Sequence, residues 1–242
     1  MRRRSMMMAA MAAPAFAQGS AARTLRVIPQ ANLTSLDPVW TTAVVTRNHG
    51  MMVYDNITTV NLAGEVRPQT AEGWEIAAEG RQWDFTLRPG LKFHDNEPVR
   101  AADCVASIRR WAARDSFGQV LWAAVDELSV LDDRRFRFRL KRPFPFLALA
   151  MGRSQGPVPV LPERLAATDP FQQVRDATGS GPFRFIANEW NPGSRAVWAK
   201  FDGYVPRQEA VDGLAGGRAA RIDRVEWSVI PDPATAANAM QT

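Results

Sequence analysis

The sequence predicts a mixed α/β protein built of two parts, and three observations carry that prediction. Apolar and polar residues alternate with a period of two, as in half-buried strands, most clearly over residues 83–87. From Ala101 the period changes to that of an amphipathic helix. A Gly-Ser-Gly-Pro-Phe turn at residues 179–183 then separates the long central stretch from a further strand.

Composition places the chain among ordinary globular proteins. It has 242 residues, of which 46% are hydrophobic and 23% are charged. The net charge is +5, but the arginines are interleaved with acidic residues, so no nucleic-acid partner is expected. After the N-terminus no apolar run reaches the length of a membrane span.

The reactive side chains form no catalytic or metal-binding set. Cys104 is the single cysteine, and His49 and His94 are the only histidines. A zinc site, a Cys/His nucleophile and a serine with a histidine partner are therefore not expected. The sequence predicts no enzyme, no catalytic residue, no metal and no cofactor.

Residues 1–17 are predicted to be a signal peptide. Three arginines precede a short apolar stretch at residues 6–13, and Ala-Phe-Ala at residues 15–17 fits a cleavage site. The arginines also allow the twin-arginine route of export. The alternative is a Met/Ala-rich tail that takes no part in the fold.

The remaining chain is expected to alternate strands and helices. The first elements are a strand at 24–28, a loop at 29–38, a helix ending near Tyr54, hairpin strands at 57–60 and 66–68, and the strand at 83–87. Next come helices from Ala101 and at 117–125, hairpin strands at 128–130 and 136–140, and a helix at 147–151. The last are a strand at 158–161, a helix at 163–167, strands at 183–186 and 222–230, and a helix from Ala234.

Local chemistry adds finer expectations. Thr41 or Thr42 is expected to cap the first helix. Gly179 and Gly181 are expected to supply positive φ angles in their turn.

The helix from Ala101 is expected to bury one apolar face. Val105 and Ile108 should share a core with Trp83, Phe85 and Leu87, and Cys104 should be packed there as well. Three arginines of this helix should lie mostly off that face, namely Arg109, Arg110 and Arg114.

Three phrases resemble the extracytoplasmic solute-binding proteins of ABC transporters, in their dipeptide/oligopeptide/nickel-binding group, family 5. They are residues 83–111, the Pro-Gln-Thr-Ala-Glu-Gly-Trp stretch at 68–74, and the turn at 179–183. Two positions depart from the family pattern: Asn96 replaces a loop glycine and Arg100 replaces a helix-capping threonine. Asparagine tolerates the left-handed conformation.

The resemblance implies a class II, family 5 type periplasmic-binding-protein-like fold with two lobes. Because family members are much longer, it also implies a chain truncated at the C-terminus, holding only the N-terminal half of that fold. Residues 21–54 and 171–242 are assigned to an incomplete lobe I, and residues 55–170 to an inserted α/β domain.

The same resemblance implies the function. The chain is expected to be the extracytoplasmic substrate-binding component of an ABC importer, a monomer in the periplasm that captures a peptide or similar small solute. Such proteins enclose the ligand between lobes that close by hinge motion, and their membrane partners are the permease subunits. The alternative is a truncated fragment, or an envelope interaction module, without ligand-binding activity.

Five residues are predicted to contact the ligand. Leu33, Thr34 and Ser35 belong to the first loop, which the resemblance places at the lobe interface, and Phe117 and Trp190 offer aromatic rings. Hydroxyls and backbone groups can bond an extended peptide, while rings cover its side chains. The alternative assigns Leu33 and Trp190 to the core and the two hydroxyl residues to a turn.

Overall fold

A computed structural model describes residues 23–239. Its strands are β1 (Thr24–Val27), β2 (Thr58–Val60), β3 (Val66–Pro68), β4 (Ala71–Ala77), β5 (Gln82–Leu87), β6 (Val125–Val130), β7 (Arg135–Leu140), β8 (Phe183–Phe185), β9 (Arg195–Lys200) and β10 (Arg224–Ser228). Its α-helices are α1 (Val44–Val53), α2 (Ala101–Arg114), α3 (Ser116–Ala124), α4 (Leu147–Gly152), α5 (Glu163–Ala166) and α6 (Pro233–Ala239). The predicted signal peptide lies outside the described residues.

One sheet joins the two ends of the described chain. Its strand order is β1-β10-β9-β8, with β1 parallel to β10 and the other pairs antiparallel. The inward side chains of β9 and β10 build its core, where the rings of Trp198 and Trp227 lie 4.5 Å apart. The predicted strands at 24–28 and 222–230 are confirmed with shorter bounds.

A second sheet, fully antiparallel, has the order β4-β5-β7-β6. Along β5 the alternation survives folding, since every second residue is buried. Phe85 is inaccessible to solvent, and its ring stacks on that of Phe136 at 5.1 Å. Val105 and Ile108 of α2 belong to the same core, which confirms the predicted strand and helix phases.

The hairpin of β2 and β3 is also confirmed, with Gly64 in its turn at a φ of 79°. Helix α4 packs on it closely. The Thr58 hydroxyl donates to the carbonyl oxygen of Ala148 at 2.7 Å, and a Cβ on Gly152 would lie 2.6 Å from Thr58. The hairpin therefore joins the second sheet through helix packing.

Buried apolar residues form two cores that separate along the sequence. One core draws on residues 57–160 together with Val39. The other draws on residues 33–54 and 161–227. Assignment of residues 21–54 and 171–242 to one lobe and of 55–170 to an inserted domain remains a proposal, which this distribution supports except at Val39, Leu161 and Ala166.

The structure corrects two predicted elements. Helix α1 begins at Val44 with Ala43 as its N-cap, and the Thr41 hydroxyl accepts only the Ala43 N–H, at 3.2 Å, before the helix starts. The predicted strand at 158–161 is absent from the described chain, and one isolated bridge joins Asn56 to Pro159 instead. Prolines lack the N–H that a strand ladder requires.

Helix α2 obtains its cap from an acidic residue in its first turn. The Asp103 carboxylate accepts the backbone N–H of Arg100 at 2.7 Å and that of Glu163, before α5, also at 2.7 Å. Burial raises the pKa of this carboxyl above its ordinary value. One side chain thus starts α2 and attaches α5 to it.

Arg110 is a third correction. It was expected off the apolar face of α2, but it is 1% exposed and pairs with Asp37 of the first loop. The spacing of apolar residues alone cannot reveal this burial, because an arginine is buried only where a partner is supplied.

The fourth correction concerns why glycine is needed at two positions of the turn at 179–183. Neither Gly179 nor Gly181 has a positive φ angle. A Cβ on Gly179 would lie 2.1 Å from the carbonyl oxygen of Val53, and one on Gly181 would lie 2.6 Å from that of Met52. The glycines are required because the turn lies very close to the end of α1. There the Gly181 N–H donates to the Val53 carbonyl oxygen at 2.8 Å.

Candidate ligand-binding cleft

A cavity of about 480 Å³ opens between segments that are distant in sequence. It is lined by residues 38–42, the first two turns of α1, the end of α2 with Asp115 and Ser116, and residues of the 153–159 loop. We call this cavity the cleft. Asn56 lies at it as well and donates to the Val158 carbonyl oxygen at 3.0 Å, which fixes the loop to the start of β2.

A turn built by Asp37 places Trp40 at the cleft. One Asp37 oxygen accepts the backbone N–H of Val39 at 2.9 Å and that of Trp40 at 3.3 Å. Asp side chains commonly close turns in this way, by bonding backbone groups two residues on. Trp40 remains 37% exposed.

Asp115, another residue that lines the cleft, is fixed through both of its carboxylate oxygens. One of its oxygens caps α3 by accepting the N–H groups of Phe117 and Gly118, both at 2.9 Å. The other oxygen forms an ion pair with Arg153. The Trp111 indole N–H donates to the Gly156 carbonyl oxygen at 3.0 Å, so the loop is attached to α2 as well as to α3.

Arginine and aromatic side chains lie close together at the cleft. The Arg114 guanidinium lies 5.0 Å from the Trp40 ring centroid and 5.1 Å from that of Phe171, a cation–π arrangement. It also donates to the Trp40 carbonyl oxygen at 3.2 Å. Arg47, on the first turns of α1, is a further cationic side chain at the cleft.

None of the five predicted contact residues lines the cleft. Leu33 is 2% exposed and belongs to the core under the first sheet. Trp190 packs against the same core, with its ring edge-on to that of Phe185 at 5.6 Å. Thr34 is exposed.

The other two are closer to the cleft. Ser35 is buried, and its hydroxyl oxygen accepts the Asp37 N–H at 3.3 Å and bonds the Gln173 amide. Phe117 is half-buried beside Phe144, with the Arg153 guanidinium 5.7 Å from its ring. Ser35 thus belongs to the Asp37 turn, and Phe117 contacts Arg153. A ligand contact at any of the five stays a prediction.

Sequence reasoning did not select the residues that line the cleft. Trp40 follows the Leu-Asp-Pro stretch of the first loop, and a tryptophan placed beside a predicted turn was the one available signal. Arg47, Arg114 and Arg153 gave none, because arginines on helices and loops usually mark solvated surface.

Metal-ligating and reactive groups are sparse in the described structure. Residues 23–239 contain no group of three or more His, Cys, Asp or Glu side chains that could hold a metal ion. Cys104 is buried, and burial raises the pKa of its thiol above the ordinary value. No helix within the same residues is both long enough and apolar enough to cross a bilayer.

Comparison with known proteins gives a family match. The family model described as bacterial extracellular solute-binding proteins, family 5 Middle, matches residues 65–242, more than half of the chain. A probable peptide ABC transporter periplasmic-binding protein of Sinorhizobium fredii is 39% identical over 225 residues, which cover 92% of this chain and 42% of that protein. The dipeptide-binding protein of Escherichia coli is 31% identical, over 70% of this chain and 37% of that protein.

Solved structures agree on the fold. NikA of Brucella suis, in complex with Fe(III)-EDTA, superposes with a TM-score of 0.73 at 24% identity, covering 90% of this chain and 41% of NikA. The chain thus spans less than half the length of the relatives and structures that it matches. The named relatives are binding proteins rather than enzymes.

Proposed function

The chain belongs to family 5 of the bacterial extracellular solute-binding proteins, and on that premise we propose that it captures a peptide or similar small solute for an ABC importer. The observation that carries this proposal is the cleft. Its volume of about 480 Å³ lies in the range of small-molecule sites, which is roughly 300–1,000 Å³. Its lining combines the rings of Trp40 and Trp111 with polar and charged side chains that can orient a bound solute.

The position of the cleft supports a clamp mechanism. Trp40 and Arg47 belong to the segment assigned to lobe I, whereas Trp111, Asp115 and Arg153 belong to the proposed inserted domain. A solute seated there would touch both parts, so its binding energy would favour their closure by hinge motion. Leu33, Thr34, Ser35, Phe117 and Trp190 are proposed as further contacts in the closed form.

The relatives' names supply the setting of this proposal. Two of them are a periplasmic-binding protein of a probable peptide transporter and a dipeptide-binding protein. We accordingly place this chain in the periplasm, as a monomer that delivers its solute to the permease subunits of the importer.

Two exposed tryptophans allow a matched test. Trp40 and Trp122 are both 37% exposed, but only Trp40 lines the cleft. In a titration calorimeter, trialanine should bind the unaltered chain, Trp40→Ala should weaken that binding about tenfold or more, and Trp122→Ala should leave it unchanged. Equal loss in both variants, or no binding of trialanine together with no solute released from the purified protein into a mass spectrometer, would refute the proposal.

A further inference from the structure

The charge inside the cleft is not balanced. Three arginines line it, Arg47, Arg114 and Arg153, while Asp115 is its single acidic lining residue. The Asp115 carboxylate is already occupied by Arg153 and by the N-terminus of α3. Arg47 and Arg114 therefore line the cleft without a carboxylate partner in the part of the chain that the structure describes.

Arg47 is the clearest case. Within residues 23–239 its guanidinium has no hydrogen bond, ion pair or aromatic partner, although the residue is half-buried. A guanidinium presents five N–H donors in a planar fork that matches the two oxygens of a carboxylate. Leaving such a group half-buried and unpaired is unfavourable, and an incoming anion would remove that cost.

Arg114 is held in place by other means. Its guanidinium lies over the rings of Trp40 and Phe171 and donates to one carbonyl oxygen, and it has no acidic partner within residues 23–239. The side chain is thus oriented before any ligand arrives, and its charge remains available to one. Pre-orientation lowers the entropic cost of binding.

The N-terminal end of α1 adds to the positive electrostatic potential of the cleft. Its N-cap, Ala43, offers no side-chain acceptor, and its first turn holds no acidic residue. Val44 and Arg47 of that turn line the cleft. The positive end of a helix dipole stabilises a nearby negative charge, so it reinforces the arginines.

We infer that Arg47 and Arg114, which line the same cavity, form a carboxylate subsite, so that the solute carries a negatively charged group there. This inference rests on the proposed function and narrows it to acidic solutes and to peptides held by a carboxylate. A peptide can supply that group from its C-terminus or from an acidic side chain, and both present the same two oxygens.

Three probes of equal length separate these sources. Trialanine carries a terminal carboxylate, its C-terminal amide carries none, and the amide of Ala-Glu-Ala carries one on a side chain. The unaltered chain should bind trialanine at least about tenfold more tightly than trialanine amide, as expected for a charge-assisted hydrogen bond. If Ala-Glu-Ala amide regains that affinity, a side-chain carboxylate suffices, and if it does not, the subsite reads the C-terminus.

Variants of Arg47 then assign the effect to the subsite. Arg47→Met should reduce the affinity for trialanine about tenfold and leave that for trialanine amide unchanged, while Arg47→Lys should retain most of the selectivity. Arg221→Met, the same change at an exposed arginine outside the cleft, should change neither affinity.

The outcomes distinguish this inference from the proposed function. Equal affinity of the unaltered chain for trialanine and its amide, or equal loss for both probes in Arg47→Met, overturns the carboxylate subsite and leaves the proposed function intact. Absence of binding for all three probes counts against both.

Discussion

Asp37 and Arg110 form an ion pair from which solvent is excluded, with 2.7 Å between the carboxylate Oδ2 and the guanidinium Nη2. The same carboxylate accepts the Val174 N–H at 3.0 Å. The guanidinium also donates to three carbonyl oxygens of the 168–172 segment, at 2.7 to 3.0 Å. The pair therefore joins the first loop, α2 and the chain that leads back to the first sheet.

Removal of either partner should destabilise the protein strongly. Arg110→Met leaves the Asp37 carboxylate buried without its cation, a change that costs about 3–5 kcal/mol for buried pairs. We expect a loss of that size in urea unfolding. Because Asp37 also builds the turn that places Trp40, Asp37→Ala should in addition weaken solute binding beyond its effect on stability.

Arg175→Met is the matched control for the Arg110 experiment, since Arg175 is exposed. It should change the free energy of unfolding by less than about 0.5 kcal/mol. A loss for Arg110→Met as small as that of the control would show that the buried pair contributes nothing net to stability.

The core of the second sheet should be equally sensitive at Phe85. This side chain is fully buried and stacked on Phe136, so Phe85→Ala should lower the free energy of unfolding by about 3–5 kcal/mol. Ile76→Ala, on the neighbouring strand β4 at 52% exposure, provides the control and should have little effect. Similar urea midpoints for the two variants would argue against the packing seen around β5.

The turn at 179–183 offers a test in which a single methyl group is added. Gly179→Ala places a Cβ 2.1 Å from the Val53 carbonyl oxygen, so the end of α1 or the turn must move. Overpacking of this kind costs about 1–3 kcal/mol and occasionally more. Gly73→Ala adds the same methyl group to β4, where no described residue other than its chain neighbours lies within 4 Å of it. Thermal unfolding should therefore show a lower midpoint for Gly179→Ala alone.

Local patterns explain why much of the fold could be predicted. The alternation at Trp83, Phe85 and Leu87 depends only on which face of a strand meets the core, and the structure keeps it. Asn96 adopts a φ of 70°, as expected for the residue that replaces a loop glycine. Such features are set by neighbours along the chain, so the sequence displays them directly.

The cleft and the buried pair depend instead on contacts between distant segments. Asp37 and Arg110 are 73 positions apart, and neither residue type reveals its burial from spacing. Likewise the need for Gly179 arises from the Val53 carbonyl oxygen rather than from its own backbone angles. Only the three-dimensional arrangement shows that Trp40, Arg47 and Arg153 line one cavity.

The two histidines should make stability depend on pH in a defined window. His94 bonds both glycines of the turn at 179–183: its Nδ1 accepts the Gly179 N–H at 3.2 Å and its Nε2 donates to the Gly181 carbonyl oxygen at 3.0 Å. This arrangement requires the neutral ring. Burial lowers the pKa of His94 from 6.5 to about 4, and it lowers the pKa of His49, whose Nδ1 accepts the Trp198 indole N–H, to about 3.

Because the histidine pKa is lower in the folded chain, the unfolded chain binds a proton at pH values where the folded chain does not. The free energy of unfolding is therefore highest above pH 6.5. It falls as the pH drops towards 4, by up to about 1.4 kcal/mol per pH unit for each ring. His94→Gln removes one of the two rings, so its free energy of unfolding should fall less steeply between pH 6.5 and 4 than that of the unaltered chain. Urea unfolding at half-unit pH intervals measures both slopes, and identical slopes would mean that His94 is not held neutral by the turn.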